Sequence, residues 1–160
     1  MRYLATVAAG TRQTEDTGME TNELHRGRLI DHIQIVVMDL EASRRFYEAA
    51  LGALGIPLGG VDEDYFWADE LFVSTASSPA AQGRLTGRLH LAFQARDRAA
   101  VEAFYEAGLA NGGTDNGAPG ERPYHPGYFA AFLLDPDGNN IEAVYHGEAE
   151  RSAESIRITF

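Results

Sequence analysis

Two stretches of this chain repeat one pattern at a fixed separation, and that repetition limits the folds open to it. His32 is followed by Asp39 seven positions on and by Phe46-Tyr47-Glu48-Ala49 from the fourteenth. His90, 58 positions after His32, is followed by Asp97 and Phe104-Tyr105-Glu106-Ala107 at the same two spacings. A four-residue identity held at constant distance from a matched His and a matched Asp marks two copies of one structural unit. The chain is therefore expected to fold as a tandem duplication.

Each copy opens with a strand. From Leu29 to Val37 only Asp31, His32 and Gln34 interrupt an apolar, β-branched run, and alternation puts Ile33, Ile35 and Val37 on one face and His32, Gln34 and Val36 on the other. Residues 40–54 follow with one apolar helical stripe, an N-cap at Asp39 and glycines at 52 and 55 to end it. Such a helix covers the all-apolar face of the strand, which leaves His32 on the opposite face. Three short extended pieces, 56–58, 65–67 and 71–75, complete the first unit, and 77–83 reads as a linker.

In the second unit Leu89, Leu91 and Phe93 alternate with His90, Ala92 and Gln94, and a helix is expected over 98–110. A Gly-, Pro- and Asn-rich loop then leads to Arg122-Pro123-Tyr124-His125-Pro126-Gly127. Strands over 128–134 and 140–146 flank Asp135-Pro136-Asp137-Gly138, whose composition is that of a type I turn, so they form a hairpin. The fold class is α+β: two tandem βαβββ modules, 29–76 and 88–147, whose curved mixed sheets form a cleft or half-barrel. Residues 1–28 read as a flexible arm, with Met19 a candidate start, and 148–160 as a tail whose weakly extended end has no assigned place.

Charge and composition narrow the function. Asp and Glu number 24 against 13 Lys and Arg, a net charge of −11 that repels phosphate backbones and anionic lipid, so nucleic acid and membranes are excluded as partners. No apolar run reaches the ~20 residues of a membrane span, and the N-terminal stretch is too short and interrupted for a signal peptide, which points to the cytoplasm. Without cysteine, thiolate ligands and thiol nucleophiles are absent. Chemistry falls to imidazole and oxygen.

Two half-barrel sheets closing on a common cleft would line it with His32, His90 and Glu142, since Glu142 shares its face with Val144 and His146 on the final strand. Two imidazoles and one carboxylate form the ligand set of many divalent-metal sites. On the loop before the hairpin, Tyr124 and His125 are candidates for acid–base catalysis. Gln34 and Gln94 either hydrogen-bond a ligand or satisfy neighbours; Tyr128 either binds an oxyanion or packs on Trp67; Arg122 either neutralises an anionic substrate or stays solvated. His25 and His146 read as incidental.

The sequence resembles the vicinal oxygen chelate superfamily of glyoxalase I, extradiol dioxygenases, fosfomycin-resistance and bleomycin-resistance proteins. The resemblance spans 29–147 and rests on Ile30-Asp31-His32-Ile33 with Asp39-Leu40 and Phe46-Tyr47, on His90-Leu91-Ala92-Phe93, and on Asp135-Pro136-Asp137-Gly138-Asn139-Asn140-Ile141-Glu142. It implies His32, His90 and Glu142 as ligands of a divalent ion (Fe, Mn, Zn, Ni or Co), a small oxygen-chelating substrate, and a homodimer. Members with four protein ligands take the remaining one from the last strand of the first module, where this chain has Phe72. That departs from glyoxalase I and agrees with three-ligand dioxygenases and fosfomycin-resistance enzymes. The other reading is a metal-free protein that binds a flat or amphipathic molecule, as bleomycin-resistance proteins do, in a cleft lined by Tyr65, Phe66, Trp67, Phe72 and Tyr128.

Overall fold

The computed structural model describes residues 31–78, 81 and 83–148 in full, and residues 23–26 and 156–159 as backbone. The duplication is visible in the topology. Module one runs β2 (Ile33–Val37), α1 (Leu40–Ala53), β3 (Gly60–Val61), β4 (Tyr65–Ala68) and β5 (Leu71–Thr75), after a short β1 at Glu23–Arg26. Module two runs β6 (His90–Gln94), α2 (Arg98–Ala110), β7 (Thr114–Glu121), β8 (Phe129–Leu134) and β9 (Asn140–Tyr145), before β10 at Ile156–Thr159. The two four-stranded sheets have the same plan, β2-β5-β4-β3 and β6-β9-β8-β7. In each the opening strand lies at a sheet edge, parallel to the module's last strand, and both sheets are open.

The matched aspartates start the helices. Asp39 accepts from the Ala42 N–H at 2.9 Å and Asp97 from the Ala100 N–H at 2.7 Å, satisfying donors that the first helical turn leaves free. The matched Phe-Tyr pairs lie on the inner stripes: Phe46, Tyr47 and Phe104 are fully buried. Glycine makes room for Phe46 of α1 and Leu133 of β8 at the end of α2. A Cβ on Gly108 would sit 2.3 Å from Leu133 Cδ1, and one on Gly113 would sit 2.6 Å from Phe46 Cε2 and 2.8 Å from the Gly108 carbonyl. Phe46 of module one is thus seated on backbone of module two. A buried hydrogen bond joins the modules as well, from Tyr47 O–H to Asp135 Oδ2 at 2.7 Å.

The structure departs from the sequence reading at three places. The strand expected at 56–58 lies instead at Gly60–Val61, opposite Trp67 and Phe66. Gly59 is there because the Trp67 ring lies over it, 2.2 Å from where a Cβ would stand, so the glycines mark close aromatic packing as well as a turn. The expected loop after α2 is the eight-residue edge strand β7. Its pairing with β8 shifts register between Asp115 and Gly117 and again between Gly117 and Gly120, and Gly117 has φ +151°. Bulges and an edge position accommodate the Gly and Pro that otherwise argue against a strand. Finally, residues 23–26, assigned to a flexible arm, pair antiparallel with 156–159 of the unplaced tail as a separate two-stranded sheet. Residues 1–22, including Met19, lie outside the described residues.

Candidate functional site

Strand β9 carries a buried carboxylate. Glu142 stands between Ala92 of β6 and Phe132 of β8 and is 2% exposed. Burying a carboxylate is costly unless it is hydrogen-bonded or bound to a cation. Here Oε2 faces His90 Nε2 at 2.8 Å and Oε1 accepts from the Tyr128 hydroxyl at 2.6 Å. Burial, and then the hydrogen bond to Glu142, push the Tyr128 phenol up to about 12. It therefore donates to Glu142 throughout the neutral range. The His90 ring stays about half exposed and sets its edge against Phe132, 6.0 Å between centroids.

His32 does not join this pair. Its Nδ1 lies 2.6 Å from Asp31 Oδ1, its side chain is 64% exposed, and among the described residues no three His, Asp or Glu side chains stand close enough to hold one ion. His32 thus stands apart from the His90–Glu142 pair that the sequence groups it with. Alternation fixes which face each imidazole takes within its module, but the docking of the modules, set by Phe46, Gly108 and Gly113, decides whether those faces meet.

The register places the other candidates. Gln34 lies opposite Phe72 as Ala92 lies opposite Glu142, so Phe72 occupies in module one the position of the carboxylate in module two. Its ring stacks on Tyr65 at 4.9 Å. Gln34 donates to the fully buried Ser74 hydroxyl at 2.8 Å, the neighbour-satisfying alternative. Trp67 covers Gly59, and Tyr128 packs on Tyr124, His125 and His146 instead of on Trp67. Arg122 is half-buried and held by its own sheet: Nη2 donates to the Ala118 and Ala130 carbonyls and the guanidinium lies 5.2 Å from the centre of the Phe132 ring. Gln94 lines an open cleft of about 700 Å³ with Ile56, Asp69, Arg96 and His146.

Tyr124 is largely exposed, its ring edge-on to Tyr128. His125 Nε2 meets His146 Nδ1 at 3.0 Å. The sequence reading missed His146, although the signal was available in the parity it shares with Glu142 along the last strand.

Fold and site together define a class: a duplicated βαβββ protein whose second module presents a buried carboxylate beside an exposed imidazole. The chain belongs to the Glyoxalase/Bleomycin resistance protein/Dioxygenase superfamily, whose family profile matches residues 29–143. Among solved structures it is similar to a glyoxalase/bleomycin resistance protein from Albidiferax ferrireducens T118, at 34% identity and TM-score 0.59 over 72% of this chain and 97% of that one. A glyoxalase-related enzyme from Fulvimarina pelagi shares the fold at 20% identity and TM-score 0.58, over 79% of this chain and 99% of that one. Lactoylglutathione lyase from Agrobacterium tumefaciens does so at 19% and 0.53, over 74% and 93%. No protein of curated function matches the chain. Among the described residues no helix is long and apolar enough to cross a membrane.

Proposed function

We propose that the chain works as a homodimer in which His32 of one protomer joins His90 and Glu142 of its partner around a divalent metal, and that the assembled site is an enzyme acting on a small molecule with two adjacent oxygens. The observation that carries the reading is Glu142, a nearly inaccessible carboxylate with no Lys or Arg partner among the described residues, held by Tyr128 and His90 at the surface of an open sheet. Within one chain the donor set falls one imidazole short. The missing one is supplied by symmetry, because His32 and His90 are both exposed beside edge strands of matched sheets, and a two-fold axis that lays module one against the partner's module two makes two equal sites.

When bound, the ion supplies Lewis-acid polarisation of the substrate oxygens. With Phe72 in place of a fourth donor, open positions remain for those oxygens, as in three-ligand lyase, transferase and dioxygenase members. Proton handling falls to Tyr124, His125 and His146, which surround Tyr128 while its hydroxyl stays bonded to Glu142. Chelator-stripped protein dialysed against Mn, Fe, Co, Ni or Zn should take up about one ion per chain and sediment as a dimer, and His90→Ala should lose the ion. A monomer that takes up no metal yet binds aromatic ligands through the Tyr65–Phe72 stack would support the sequestering protein instead.

A further inference from the structure

Just past the end of β9 lies an imidazole pair that metal binding does not use. His125 Nε2 and His146 Nδ1 are 3.0 Å apart, their ring centres 5.2 Å apart and their planes 16° from parallel. An imidazole nitrogen stands roughly 1.1 Å from its ring centre, so a centre separation equal to the nitrogen gap plus about twice that length means near-coplanar rings joined in line by one N–H···N bond, not a face-to-face stack.

The direction of that bond follows from a third atom. His125 Nδ1 lies 2.9 Å from the Pro126 carbonyl oxygen. A carbonyl only accepts, so Nδ1 carries the hydrogen and the neutral ring's Nε2 is a lone pair. It must then accept from His146 Nδ1–H. By the same rule His146 Nε2 is bare; it meets no hydrogen-bond partner among the described residues, and His146 lines the open cleft with Gln94. Tyr128 sets its ring edge-on to both imidazoles, at 5.3 and 5.1 Å, while its hydroxyl is committed to Glu142. The phenol thus spaces the pair from the carboxylate without donating to it.

We propose that His146 Nε2 is the general base of this protein and that His125 is a positioning residue acting through it. The base removes a proton from a hydroxyl or an activated C–H of a small molecule in the cleft. An N–H bond forms at Nε2, the substrate's O–H or C–H bond breaks, and its electron pair stays on the substrate atom. The positive charge that develops on His146 is shared through Nδ1–H to His125 and on to the Pro126 carbonyl. The logic is that of an imidazole oriented through Nδ1 by a carboxylate, with a neutral ring as the orienter. Only the choice of substrate rests on the function proposed above.

Ring-nitrogen NMR of the whole protein should show His146 protonated at Nδ1 and bare at Nε2, and His125→Ala should shift it towards the Nε2–H form. With hydroxyacetone as probe in D2O, wild-type protein should catalyse C–H exchange, His146→Ala should lower it by about 100-fold or more, and His125→Ala should lower it by less. His90→Ala should abolish metal uptake and leave the His146 tautomer unchanged, so failure of the metal site and failure of the base are read separately. Wild-type His146 carrying its hydrogen on Nε2, or exchange no faster in wild type than in His146→Ala, overturns the proposal.

Discussion

Replacing Tyr47 by Phe removes one oxygen from the centre of the molecule and leaves the ring in place against Phe46 and Phe66, at 5.1 and 6.1 Å. The lost group donates to Asp135 Oδ2 at 2.7 Å, and Asp135 is 4% exposed. The carboxylate keeps other donors: Asn139 Nδ2 to the same oxygen at 2.9 Å, and the Asp137 and Asn139 N–H groups to Oδ1 at 3.0 and 2.8 Å. The cost is therefore that of one buried hydrogen bond to a charge, about 2 kcal/mol, and not that of an unpaired ion. With a urea slope of roughly 2 kcal/mol per molar, the unfolding midpoint should fall by about 1 M at neutral pH.

The same bond sets an alkaline limb. Burial first, and then the charge of Asp135, raise the Tyr47 phenol well above 10. Because the folded value exceeds the unfolded one of about 10, the stabilisation is complete below that pH and is lost as pH climbs through the folded value. Tyr47→Phe should start lower and fall less steeply above pH 10, the remaining slope coming from Tyr128 between about 10 and about 12 and from Tyr105, whose hydrogen bond to Asp115 also raises it. An unchanged urea midpoint at neutral pH, or an unchanged alkaline slope, would show that this bond does not join the modules.

Other consequences are open to equally direct measurement. Gly113→Ala should destabilise by about 2–3 kcal/mol in urea melts and more than Gly108→Ala, since its Cβ meets backbone at 2.8 Å where Gly108 meets the flexible end of Leu133. Removing the caps Asp39 or Asp97 to Ala should cost about 1 kcal/mol each, and additively, because the two ends are independent. Phe72→Glu, at the register position matching Glu142, should tighten metal binding in titration calorimetry by about tenfold or more, equivalent to about 1.4 kcal/mol.

Much of this protein is legible in its sequence because the duplicated signals are local. An Asp seven residues after each His caps a helix, and α2 spans Arg98–Ala110 as its apolar stripe predicts. The alternation around His90 and the turn at Asp135 to Gly138 likewise specify strand faces and a hairpin, and Gly138 adopts φ +85° to close it. What escapes is non-local. The glycines of β7 look like loop until β8 lies beside them and bulges absorb the extra residues. The pairing of 23–26 with 156–159 joins segments 130 residues apart, which no window of sequence contains. That His32 stands apart from the His90–Glu142 pair is a matter of how the modules dock. The approach of His146 to His125, 21 residues away in sequence, is likewise outside any local pattern.

Whether the metal site is built by two chains is tested most directly by co-expressing His32→Ala and His90→Ala variants and measuring bound metal. Either variant alone disables every site and should bind almost none. Random pairing makes half the dimers mixed, each with one intact site, so metal content should recover to about a quarter of the wild-type value. Metal in the co-expressed preparation no higher than in the separate variants would contradict a site shared between protomers, as would full metal content in His32→Ala alone.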